Sequence, residues 1–182
     1  FGDPVMSSMM RKNVGSLAEL IIHEMTHTTL YVKGNVEFNE NLATFIGEIG
    51  AEKFLTYKFK DDSNVLTNYI NHRNDSRIFS EYVVTSVAKL DSLYKDVDFI
   101  SLTYPDKLRL KYQKIALIVL HISKLPLKNH QRFEWNLQDK RLPDNTWFLS
   151  YSDYHALQPE IYQVYYDSCN SSIRELINHY KK

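Results

Sequence analysis

Ser16-Leu17-Ala18-Glu19-Leu20-Ile21-Ile22-His23-Glu24-Met25-Thr26-His27 is the stretch from which the rest of this chain can be read. Leu17, Leu20, Ile21, Ile22, Met25 and then Leu30 recur at helical spacing, in an apolar band wide enough for a helix covered on most sides. Ser16 and Glu19 read as a capping box, the hydroxyl and the carboxylate satisfying amides left orphaned at the helix start. Gly34, just past Tyr31-Val32-Lys33, is the expected stop. Mid-helix stand His23 and His27, four apart and so on one face, with Glu24 one residue round from the first.

Burying two imidazoles and a carboxylate on such a helix without partners would be costly, and a metal ion removes that cost. His-Glu-x-x-His is the spacing of zinc hydrolases: two ligands, and a general base that reaches a water molecule without ligating the metal. A catalytic zinc needs a third protein ligand and one open position. Phe38-Asn39-Glu40-Asn41-Leu42-Ala43-Thr44-Phe45 supplies it. Asn39 reads as the cap of a second helix, which places Glu40 in its first turn, with Glu37 as the rival ligand. Ala43, Gly47 and Ala51 follow at intervals of four, and a mid-helix glycine, about 1 kcal/mol worse than alanine, implies a neighbouring backbone that comes close.

His23 to His27 followed by Asn39 to Phe45 resembles the gluzincin metallopeptidases, the group of thermolysin and aminopeptidase N. More narrowly, Gly2 to Met10, the histidine motif, Leu30 to Gly34 and Phe38 to Phe45 look like the bacterial putative aminopeptidase family. The likeness is dense over residues 2 to 50 and returns around Asn145 to Pro159. It implies one zinc ion per chain, held by His23, His27 and Glu40, with Glu24 as base and a peptide as substrate. The gap from His27 to Glu40 is shorter than in thermolysin or aminopeptidase N but similar to that of the narrower family, so the helices must be joined by a tight turn.

The same resemblance gives Pro4 to Met9, the clear strand candidate, a role. In gluzincins a strand edge beside the metal helix binds the substrate backbone, here through Asp3, Val5, Met6 and Ser7. Tyr154, in Asn145-Thr146-Trp147-Phe148-Leu149-Ser150-Tyr151-Ser152-Asp153-Tyr154, is the chosen donor to the oxyanion of the tetrahedral intermediate, with Tyr151 and His155 as rivals. Removal of single residues from amino termini rests on the resemblance alone; an endopeptidase and a binding domain with a structural zinc or none are the alternatives. An intact Glu24 argues against the last, since a structural site has no need of a base.

The remainder reads as helix after helix, so the expected class is mainly α: one catalytic domain over 1–182, with a short strand ahead of the metal helix, and α+β when complete. Asp61 to Asn64 and Asn71 to Asp75 look like loops rich in turn formers. Ile78, Tyr82, Val83, Val87, Leu90 and Leu93 recur at helical spacing behind a cap at Asp75 or Ser76. Pro105 fits the first turn of a helix reaching about Ser123, with Pro126 beyond its end. Lys128 to Arg141 reads as an irregular loop. A short helix follows from Asp144 or Asn145 to about Leu157, Pro159 opens another, and Ser172 to Glu175 is a second capping box.

Composition narrows the function. The 182 residues carry 22 basic and 22 acidic side chains, and neither net charge nor a basic block points to a nucleic-acid partner. Cys169 is the one cysteine and reads as a packing residue. His72, His121, His130 and His179 show no ligand spacing. No apolar run reaches transmembrane length. The chain begins at Phe1, which reads as the C-terminal part of a longer protein; the resemblance implies sequence upstream and a place in the periplasm or cell envelope.

Overall fold

The computed structural model of the chain describes residues 11–60, 63–134 and 142–181. Among them every regular element is a helix, as expected of a mainly α chain. The strand expected at Pro4 to Met9, and with it Asp3, Val5, Met6 and Ser7, lies outside the described residues. Two compact units form: one runs to Arg73 and resumes at Asp153, the other is Asn74–Ser152.

In the first unit, α1 (Val14–Thr29) packs against α2 (Val36–Lys58). α1 starts ahead of the expected Ser16 cap, because the Asn13 side chain takes the role by accepting the Ser16 N–H at 2.9 Å. Asparagine caps at least as well as serine. Glu19, freed from the capping box, accepts the Tyr69 hydroxyl at 2.9 Å. The helix ends at Thr29, ahead of Gly34, which takes φ 82° in the link that follows. Nor is α1 covered on most sides: Gly15 and Thr26 alone are fully buried, while Ile21 and Met25 are 45% and 59% exposed. Its apolar band is wider than the surface it buries against the described residues.

α2 supplies the core instead. Leu42, Phe45, Ile46 and Ile49 pack with Ile161, Tyr165, Cys169 and Leu176, and Ala51 and Leu55 with Tyr69. Burying each large apolar side chain contributes about 1.5–3 kcal/mol. Tyr165 follows α7 (Gln158–Gln163, opened by Pro159) on a short π turn, and Leu176 lies on α8 (Ile173–Tyr180), capped by Ser172.

α2 also begins earlier than Asn39 suggests. Asn35 caps it, accepting the Phe38 N–H at 3.1 Å. Asn39 is buried instead, its side-chain amide bonded at 2.8 Å to both the N–H and the C=O of Val32. That pair of bonds closes the short link between α1 and α2.

At Gly47 the two helices come close, backbone to backbone. A Cβ there would stand 2.9 Å from the Glu19 carbonyl oxygen and 3.3 Å from the His23 Cβ. A backbone oxygen cannot swing aside, so any side chain must push α1 away. Gly47→Val should therefore destabilise the protein by about 1–3 kcal/mol through overpacking. Thermal unfolding reads this as a lower midpoint; a midpoint equal to or above the parent's would mean the close approach is unimportant.

The second unit contains most of α3 (Ser63–Lys95), then α4 (Val97–Ser101), α5 (Tyr104–Ile122) and the first residues of α6 (Asn145–His155). Phe79, Val83, Leu90, Ile115, Val119, Ile122 and Phe148 form its core, with Phe133, Trp147 and Tyr151 against them. Asn71 to Asp75 is helical, not a loop, and no cap stands at Asp75 or Ser76. The turn-forming side chains there serve tertiary partners instead. Asp75 is buried and accepts the backbone N–H groups of Lys128 and Asn129 at 2.8 and 2.9 Å, while Arg73, in the first unit, pairs with Glu52. Pro105 sits in the first turn of α5 behind a Thr103 cap, as its position suggests. α4, capped by Asp96, was not foreseen.

Candidate metal centre

The close contact at Gly47 lies beside His23, and the facing ends of the two helices bring three polar side chains together. His23 and His27 come from one face of α1 and Glu40 from the second turn of α2. The two Nε2 atoms are 3.2 Å apart, with the rings crossing edge to face. Glu40 spans the pair, Oε2 lying 3.3 Å from the His23 Nε2 and Oε1 3.6 Å from the His27 Nε2. One donor atom from each residue falls within 4.8 Å of the others. All three side chains are largely shielded, at 16–21% exposure.

These spacings suit a metal. Donor atoms about 2.0–2.1 Å from a tetrahedral zinc stand about 3.4 Å from one another. The protonation state suits it too: burial first, and then the charge of His27, hold the His23 pKa below its ordinary value, against the opposing pull of Glu40 and Glu24. A neutral imidazole keeps the lone pair that ligation requires. The Nδ1 of His27 is buried and has no hydrogen-bond partner among the described residues. Nε2 is the nitrogen of this ring that meets the other two residues. Imidazole, imidazole and carboxylate form the donor set of a catalytic zinc that keeps a fourth position open.

Glu24 is half-buried beside this group, and its charge is felt at both His23 and Tyr154. Tyr154, near the end of α6 and in the same unit, stacks on His23 with ring centroids 6.4 Å apart. Burial raises its pKa above the ordinary phenol value, helped by the neighbouring Glu40 carboxylate and by the charge of Glu24. The phenol thus keeps its proton at neutral pH and can donate it in a hydrogen bond.

The rivals separate. Glu37 is exposed in the first turn of α2 and does not join the donor group. Tyr151 belongs to the core of the second unit, packed on Phe79 and Trp147. His155 is half-buried, and desolvation lowers its pKa to about 4; it lies outside the donor group. Two residues that the sequence reading missed flank Glu40. Asn39 and Asn41 are both buried, and neither serves as a helix cap. A signal was there, since asparagine is a poor interior helix residue and two within three residues call for a reason.

A family model described as "Putative aminopeptidase" matches residues 1–182. No curated protein and no solved structure matches the chain.

Proposed function

This chain belongs to the putative aminopeptidase family, and from that premise we propose that it is a zinc-dependent peptidase that removes residues from the amino termini of peptides. The observation that carries the proposal is the meeting of His23, His27 and Glu40 donor atoms, from two helices, beside a half-buried Glu24. His23, His27 and Glu40 would hold the ion. Zinc in such a site supplies Lewis acidity toward a peptide carbonyl and a water molecule.

The chain's own residues do the rest. The Glu24 carboxylate takes a proton from the attacking water and later passes it to the nitrogen of the departing amine. The Tyr154 hydroxyl, kept protonated by its surroundings, donates to the oxygen that gains negative charge as the carbonyl becomes tetrahedral. Glu40 has a double task, as ligand and as a nearby negative charge that helps keep the phenol protonated.

Action at a free amino terminus is supported by family membership. A terminal ammonium needs an anionic partner in a partly dry pocket. A matched pair of peptides, one free and one acetylated, tests this. The first residue should be released from the free peptide at least about tenfold faster, as the loss of one charge-assisted hydrogen bond would give. Equal internal cleavage of both would make the protein an endopeptidase.

A further inference from the structure

We propose that Asn41 is a positioning residue: its buried side-chain amide fixes the Asp153–Leu157 turn, and with it Tyr154, against the helix that carries Glu40. The proposal rests on the peptidase reading for what Tyr154 does, but not for how Tyr154 is held.

The ends of helices leave carbonyl and N–H groups that their own helix cannot satisfy. α6 ends at His155 and α7 begins at Gln158, with Leu157 at its cap position and no side chain capping it locally. The cap comes from α2. The Asn41 Nδ2 donates to the Asp153 carbonyl at 2.7 Å and to the Glu37 carbonyl at 2.8 Å, and its Oδ1 accepts the Leu157 N–H at 2.9 Å. The Gln158 side chain closes the arrangement, its Nε2 donating to the Asn41 carbonyl at 2.7 Å and the Tyr154 carbonyl at 3.3 Å. Tyr154 lies between the two backbone groups that Asn41 grips. Its own side chain is 41% exposed, so packing alone does not hold the ring on His23. The backbone clamp does.

The consequence is geometric. Glu40 and Asn41 are neighbours on α2; one faces the histidines and the other holds the turn that carries the phenol. The distance from the Tyr154 hydroxyl to the donor group is therefore set through Asn41. A residue of similar shape without the amide would leave the Asp153 carbonyl and Leu157 N–H unpaired, and the turn free to move.

The test uses protein labelled with 3-fluorotyrosine, the Tyr154 fluorine line being assigned by its absence in Tyr154→Phe. In the parent that line should lie away from the position of free fluorotyrosine and shift when zinc chloride is added. In Asn41→Ser it should move to the free position and stop responding to zinc, while one zinc per chain still binds and the other tyrosine lines stay in place. Gln158→Ala, nearer the surface, should move the line in the same direction by less. On peptide, Asn41→Ser and Tyr154→Phe should each lower kcat by about 10²- to 10³-fold, as for loss of one oxyanion donor, and the double variant no further. A parent-like Tyr154 line in folded Asn41→Ser overturns the proposal, as does a double variant whose losses multiply. If Asn41→Ser does not fold, Gln158→Ala decides, an unmoved line being the refutation. A parent that binds no zinc or cuts no peptide sinks the peptidase reading, yet the line in the variants still decides what Asn41 does.

Discussion

Glu24→Gln is expected to lower peptide hydrolysis by about 10³-fold, within the range of 10²–10⁴ for a lost general base, and to leave the metal in place. Glutamine keeps the shape of the side chain and removes its basicity. Glu24 is half-buried, and its charge acts on both His23 and Tyr154, so it lies near the donor group without belonging to it. The loss should therefore appear in kcat with bound zinc unchanged, the pattern of an interaction made only in the transition state. Elemental analysis and steady-state kinetics on the same preparation measure both. A variant that hydrolyses at the parent rate, or that has lost its zinc, would remove Glu24 from the role of base.

The second large effect concerns the metal itself. The parent should bind one zinc per chain, and His27→Ala and Glu40→Ala should each weaken binding by more than about 100-fold. Changing a hydrogen-bond partner behind a ligand already costs about 10–100-fold, and losing a donor atom costs more. Glu37→Ala should retain the parent's zinc, because Glu37 is exposed and apart from the donor group. Titration with zinc under competition from a chelator separates these outcomes. Parent-like affinity in Glu40→Ala would move the ligand role elsewhere and leave Glu40 as the partner of Tyr154 alone. Removing zinc with a chelator should abolish hydrolysis, and adding it back should restore it.

Much of the architecture was open to reading along the chain. The helices behind Pro105, Pro159 and Ser172 stand where those residues announce them, because a fixed proline φ and a capping hydroxyl act within three residues. The pairing of His23 and His27 was legible for the same reason: four residues along a helix bring two side chains onto one face, whatever the rest of the fold does. Gly47 was legible as a close approach, and the contact with Glu19 and His23 bears this out.

Other features lay beyond a local reading. Asn71 to Asp75 has the composition of a loop, yet it is helical, because Arg73 and Asp75 find partners in Glu52 and in the backbone of Lys128 and Asn129. Asn39 and Asn35 are equally good caps by composition; tertiary contact assigned Asn35 to the helix and Asn39 to Val32. The apolar band of α1 suggested cover on most sides, but periodicity reports which residues are apolar, not how many faces find a neighbour.

By itself, the sequence determined the helical class, the pair of histidines on one face and the carboxylate one residue along. It also favoured Glu40 over Glu37 and Tyr154 over Tyr151, and the fold brings Glu40 and Tyr154 to the histidines; the tertiary structure alone decided that Asn41 reaches across 112 residues to hold the turn at Asp153. The reason is one of range. Helical spacing, caps and ligand pairs are set by bonds that span three or four residues, whereas a buried polar group must be satisfied by whatever the folded chain brings to it.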